Sequence, residues 1–123
     1  MPRAGSNVLR ITSLVSSMSG ILLLSLSYLS AITGLCLRSP SLAQVPPLSL
    51  LGGYGLCSYL HVELLPLALV SVGVLHAIAS VELLTARFAS APRGYRLLVE
   101  LFRLTTWLLA GHLLALTVVA YTL

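Results

Sequence analysis

Between Arg10 and Arg38 the chain runs from Ile11 to Leu37, 27 residues without a single charge. A bilayer's hydrocarbon core is crossed by about 20 apolar residues in a helix. No water is available there to satisfy stray backbone groups, so a spanning segment of this kind must be helical. The run therefore predicts one membrane helix with slack at each end. A cleaved signal peptide is the competing reading, but its apolar region is about 7–15 residues, shorter than this. The rest of the composition agrees. Of the 123 residues 58% are hydrophobic and 8% charged, with a mean hydropathy of +1.02, whereas a soluble domain has roughly 25% charged residues. The sequence reads as an integral membrane protein with no room beside its spans for a soluble catalytic domain.

After the first span, Ser39-Pro-Ser-Leu-Ala-Gln-Val-Pro-Pro47 and Leu51-Gly-Gly-Tyr-Gly55 are dense in helix breakers and predict a connecting loop. A second span is expected over about 59–84, with Pro66 near its start, where it is tolerated or bends the helix. Thr85 to Arg96 reads as a basic loop, and a third span as about 97–123. Arg103, in the first turns of that span, is placed to snorkel to the interface. The spans differ in content and no internal repeat is evident. The expected fold is an all-α membrane protein, a single domain of three transmembrane helices in an up-down-up order.

All seven basic residues are Arg and all three acids are Glu; Asn7 and Gln44 are the only amides. That usage fits a thermophile, though a GC-rich genome also favours Arg over Lys. Arg3, Arg10, Arg87, Arg93, Arg96 and Arg103 fall on one side of a three-span topology and Arg38 alone on the other. Positive residues favour the cytoplasmic side, so the N-terminus is expected in the cytoplasm and the C-terminus outside, in the cell (inner) membrane. The arginines flank spans and form no compact basic module, which argues against nucleic-acid binding; beside a bilayer they meet anionic lipid favourably. In this topology Cys36 and Cys57 lie together at the outer surface. They could form a disulfide or remain two independent buried thiols, since pairing is not set by sequence alone.

His76 is the residue with most chemical content. It lies mid-span in Leu64-Leu-Pro-Leu-Ala-Leu-Val-Ser-Val-Gly-Val-Leu-His-Ala-Ile-Ala-Ser80, and an ionisable group at bilayer depth marks a functional site by default. Gly73, Ala79 and Ser80 share its helix face. An imidazole with cleared space beside it is what a flat macrocycle such as haem requires. From its distance to Glu82, His76 is roughly 9 Å deep, and His112, nine residues past Arg103, roughly 13 Å. The two could ligate one haem between antiparallel helices, or His112 could simply hydrogen-bond a neighbouring helix. His61, 15 residues before His76, would stack with it on one helix as in two-haem cytochromes, but beside Glu63 it reads as a solvated interfacial histidine. Spacings do not suit zinc, and no nucleophile elbow, phosphate loop or carboxylate pair is present. Ser13, Ser16, Ser17 and Ser19 place hydroxyls near the inner surface. They could hydrogen-bond a quinone carbonyl or serve helix packing through small residues.

Three segments resemble the membrane-anchor (cytochrome b) subunits of succinate dehydrogenase and fumarate reductase. Ile11-Thr-Ser-Leu-Val-Ser-Ser-Met-Ser-Gly20 is similar to that family's first-helix motif of Ser, three residues, Arg, one residue, Ser-Gly. Leu67-Ala-Leu-Val-Ser-Val-Gly-Val-Leu-His-Ala resembles the helix that supplies the haem b histidine. Val81-Glu-Leu-Leu-Thr-Ala-Arg-Phe with Tyr95-Arg-Leu-Leu-Val-Glu-Leu resembles the link into the third helix. The resemblance covers most of the chain outside the outer loop. It implies His76 as an axial haem b ligand and Ser13 and Ser17 near a quinone site facing an iron–sulfur subunit. It also implies flavoprotein and iron–sulfur partners, a second membrane anchor, and electron transfer from succinate to quinone. This chain departs from the pattern in places. Ser17 stands where the motif has Arg, Arg87 and Phe88 where the small anchor has Asp-Tyr, and His112 has no counterpart. Competing readings are a b-type cytochrome anchor of another respiratory oxidoreductase, with His61, His76 and His112 all ligands, and a haem-free structural subunit of a membrane complex.

Overall fold

The computed structural model describes residues 4–46, 49 and 52–122. Among these it is all-helical: α1 (Ala4–Arg38), a 3-10 turn (Pro40–Gln44), α2 (Gly53–Tyr59), a π-helical turn (Leu60–Leu64), α3 (Leu65–Arg87) and α4 (Arg93–Thr122). Three stretches are long and apolar enough to cross a membrane: Asn7–Arg38, Gly53–Arg87 and Arg93–Thr122.

The helices outrun the apolar segments that announced them. α1 starts at Ala4 and ends at Arg38, whose positive charge suits the negative end of the helix dipole. Pro40 begins the next turn, since its ring cannot continue the ladder. Helix resumes at Gly53, not near Tyr59, so Gly53-Tyr-Gly55 is helical rather than loop. The glycine density that reads as a breaker serves the turn just before: Gly52 has φ +109°, a left-handed conformation closed to most side chains. The expected basic loop shrinks to residues 88–92. Pro92 precedes α4, and its carbonyl accepts from the Arg96 N–H at 3.2 Å, closing the first turn. Arg3 and the expected terminus of the third span, Leu123, lie outside the described residues.

Pro66 is the second residue of α3 and directly follows the π-turn. A proline lacks an N–H and its ring collides with the carbonyl four residues back, here that of Val62. The wider winding of a π-turn removes that collision and rotates the residues before it.

The chain divides into two compact units. In the unit made of Met1–Ile21 and Val70–Leu123, α3 and α4 meet at small residues. Gly73, Val74 and Ala77 face Thr106, Ala110 and Leu113 across an apolar cleft of about 340 Å³. At one end of that seam the Glu82 carboxylate accepts from Arg103 Nε at 2.8 Å and from Trp107 Nε1 at 3.1 Å. Arg103 is thus paired with a carboxylate on α3. Leu97, Leu98, Leu101 and Leu108 stay exposed on α4, as expected of a surface meeting lipid or another subunit rather than water. The second unit, Leu22–Leu69, has its own buried centre of Thr33, Cys36, Cys57 and Leu65. Cys36 and Cys57 are disulfide-bonded, with Cα atoms 6.3 Å apart.

Candidate functional site

His76 is half-buried on α3 and is held against α1. Its Nδ1 lies 2.9 Å from the Ser16 carbonyl and 3.1 Å from Ser19 Oγ. A carbonyl can only accept, so Nδ1 must donate, and a neutral imidazole that donates from Nδ1 carries its lone pair on Nε2. Ser19 fits the same assignment. Its single hydroxyl hydrogen goes back to the Val15 carbonyl at 2.6 Å, so toward the imidazole it accepts. The close approach depends on Gly20: a Cβ there would stand 3.1 Å from His76 Cε1. Ser80 Oγ is 3.5 Å from Nε2 but makes its better bond, at 2.9 Å, to Ser16 Oγ. Nε2, the acceptor of the ring, is thus met only by this long Ser80 contact. A fixed Nδ1–H with an available Nε2 is the arrangement in which histidine ligates a metal, so the residues around His76 fit an axial iron ligand.

Within the second unit, His61 is held against α1 by a hydroxyl in a similar way. Its Nδ1 is 3.1 Å from Thr33 Oγ1, and the Thr33 hydroxyl donates to the Leu29 carbonyl at 2.9 Å. Thr33 therefore accepts from His61, and Nε2 again keeps the lone pair. A Cβ on Gly34 would stand 2.9 Å from His61 Cε1. This histidine is half-buried and packed against α1.

The other expected site residues fall elsewhere. His112 is exposed on α4. Ala110, two residues before, is buried, and a two-residue step turns roughly 200° around a helix. His112 therefore points away from the face where Ala110 packs, and it makes no hydrogen bond among the described residues. His76 turns to α1, and no hydrogen bond joins it to His112 among the described residues. Ser13 and Ser17 are exposed on α1, while Ser16 and Ser19 are the hydroxyl residues that reach α3. Three or more His, Cys, Asp or Glu side chains do not converge anywhere among the described residues.

The signal for this pairing is in α1. Ser16-Ser-Met-Ser-Gly20 and Ser30-Ala-Ile-Thr-Gly34 share one pattern: serine, two residues, serine or threonine, then glycine. The copies are 14 residues apart, and the histidines they hold are 15 apart. Comparison with known protein families, curated proteins and solved structures finds no match to this chain.

Proposed function

We propose that this chain is a membrane-anchor subunit of a succinate:quinone oxidoreductase that helps hold haem b through His76. The observation that carries the proposal is the fixed ring: Nδ1 is committed to the Ser16 carbonyl and Ser19, and Nε2 meets only the long 3.5 Å contact of the Ser80 hydroxyl. Haem b, when bound, supplies one-electron transfer at a potential tuned by its axial ligand and surroundings. The chain's own part is to fix the imidazole's tautomer and angle from α1 and to exclude water with apolar helix surface. The sequence likeness of the first, second and third helices to succinate dehydrogenase anchors supports this particular complex. His112 faces away from the Ala110 seam, so a second protein ligand for the iron would come from another chain. Ser13 and Ser17 present hydroxyls on an exposed face of α1, where a second anchor could close a quinone pocket around them. The arginine distribution supports a cytoplasmic N-terminus, with iron–sulfur and flavoprotein subunits on that side.

The test is a reduced-minus-oxidised optical spectrum of the complex purified through this chain, repeated for His76→Ala. A haem α-band, reducible by succinate, is expected in the native complex, and its His76-dependent part should vanish in the variant. An α-band unchanged by the substitution would remove His76 from the iron, and no α-band at all would leave a haem-free structural subunit. Reduction by another donor but not by succinate would assign the chain to a different respiratory oxidoreductase.

A further inference from the structure

We infer that the outward face of α4 docks a second copy of this chain, with His112 as its polar contact. The inference makes no use of haem ligation, and either reading can fail without the other.

His112 carries the argument. The stretch Arg93–Thr122 is long and apolar enough to cross a membrane, and His112 lies nine residues past Arg103, roughly 13 Å further along the helix. The other polar side chains of α4 beyond Arg103 are engaged within the chain. The threonines, from Thr105 to Thr122, each donate to a carbonyl one turn earlier. Trp107 donates to Glu82, and Tyr121 also has a contact of its own. His112 is exposed and makes no hydrogen bond among the described residues. Lipid chains offer an imidazole neither donor nor acceptor, and such groups within spans turn to a protein partner.

The surface around His112 is shaped for a helix. Two rows of residues at four-residue spacing run along it: Leu108, His112 and Leu116, and Gly111, Ala115 and Val119. All six are exposed. At about 100° per residue they centre roughly 180° from the line of Arg103, Thr106 and Ala110 that meets α3. Rows spaced by four are the ridges that interdigitate when helices pack. A Cβ on Gly111 would meet nothing within 4 Å, and Ala115 lies one turn on. A glycine and an alanine so placed let a second backbone come close, as in right-handed crossings of membrane helices. Leucine gains little by exchanging lipid for protein. The unsatisfied imidazole and the close approach beside it are what set this face apart from a lipid-facing one.

A second copy, related by a two-fold axis along the membrane normal, meets both needs. It brings the same glycine and alanine to the crossing and places its imidazole at the same depth. A neutral imidazole carries one N–H donor and one lone-pair acceptor, so two of them bond to each other. The face is then self-complementary, as an interface between identical copies must be. A second anchor over Ser13 and Ser17 would sit on another helix.

The experiment places donor- and acceptor-tagged copies of the full chain in phosphatidylcholine vesicles and follows energy transfer against the protein-to-lipid ratio. The native chain should associate. His112→Leu should weaken association by about 3- to 30-fold, and Gly111→Leu, which closes the approach, should weaken it too. His112→Asn keeps a donor and an acceptor and should recover most of the loss. In membranes holding the intact complex, Ala115→Cys should cross-link to a second copy under mild oxidation, whereas Leu114→Cys, on the other side of α4, should not. Energy transfer no greater than random proximity at every ratio would overturn the inference. So would association indifferent to both His112→Leu and Gly111→Leu, because the contact would then lie elsewhere. A photoreactive phenylalanine analogue at Leu108 that captures a different subunit of the complex, and not this chain, would also overturn it.

Discussion

Replacing Gly34 with alanine tests whether the imidazole of His61 is held hard against α1. In a helix interior Gly→Ala ordinarily stabilises by about 0.8–1.0 kcal/mol, because glycine loses more backbone freedom on ordering. Gly111, in α4, has open space where a Cβ would go, so Gly111→Ala should show that gain. At Gly20 the added Cβ would meet His76 Cε1 at 3.1 Å. The ring must yield a few tenths of an ångström while keeping its bond to the Ser16 carbonyl, and gain and cost should nearly cancel. At Gly34 the distance is 2.9 Å, against an optimum of about 3.5–4.0 Å between carbons. The ring must move far enough to stretch its bond to Thr33. Overpacking costs about 1–3 kcal/mol, and a hydrogen bond between membrane helices is worth about 0.6 kcal/mol. Less the propensity gain, Gly34→Ala should destabilise by about 1–2 kcal/mol. The expected order of stability is Gly111→Ala, then Gly20→Ala, then Gly34→Ala. Reversible SDS unfolding in mixed micelles, followed by circular dichroism, measures it. A Gly34→Ala protein as stable as Gly111→Ala would refute the packing of His61 on Gly34.

Thr33→Val removes the acceptor of His61 Nδ1, whereas Ser19→Ala leaves His76 Nδ1 its bond to the Ser16 carbonyl. Thr33→Val should therefore cost more than Ser19→Ala by about 0.5–1.5 kcal/mol in the same unfolding assay. Reducing Cys36–Cys57, which closes a loop of 21 residues, should lower stability by up to about 3 kcal/mol; dithiothreitol with and without Cys36→Ser gives the difference. Glu82 and Arg103 are both part-exposed, so a double-mutant cycle on Glu82→Gln and Arg103→Gln should return a coupling of only about 0.2–1 kcal/mol. Trp107→Phe, by contrast, should leave most of that coupling intact, because Arg103 still reaches Glu82.

The three spans were legible because apolar length between arginines is a direct consequence of bilayer thickness. Their ends were not, because a helix continues wherever its own ladder satisfies the backbone, whether or not its residues are apolar. Gly53-Tyr-Gly55 shows this: the local glycines suggest a break, yet the left-handed backbone is confined to Gly52 and Gly53 at its start, and the helix runs on through Gly55. His76 was legible from the cost of an ionisable group at depth. Its partners were not, because four serines in α1 look alike in sequence and only the rotation of the helix distinguishes Ser16 and Ser19 from Ser13 and Ser17. The contact of His61 with Thr33 was hidden by Glu63 and Pro66, which read as an interfacial end of a span; the π-turn lies between Pro66 and α2, and His61 within it meets Thr33. The direction of His112 was not legible either, since depth along a helix says nothing about the direction around it.

The choice of serine and threonine as partners for these rings also follows from the medium. A carboxylate would hold an imidazole Nδ1–H more strongly and raise the imidazole's basicity, but an Asp inside a span costs up to about 2.5–3.5 kcal/mol on insertion, the full figure applying at its middle. A backbone carbonyl costs nothing extra, and a hydroxyl bonded back to its own helix presents only an acceptor outward. Ser19 and Thr33 both make that back-bond, to Val15 and Leu29 respectively. Exchanging the two types, Ser19→Thr with Thr33→Ser, should thus leave stability within about 0.5 kcal/mol and both histidines in place. Ser19→Asp should reduce membrane insertion in a glycosylation-reporter assay by the cost of the charge. If Ser19→Asp inserted as well as Ser19→Thr, the site would be wet, and the argument that these hydroxyls are the cheapest available acceptors at this depth would fail.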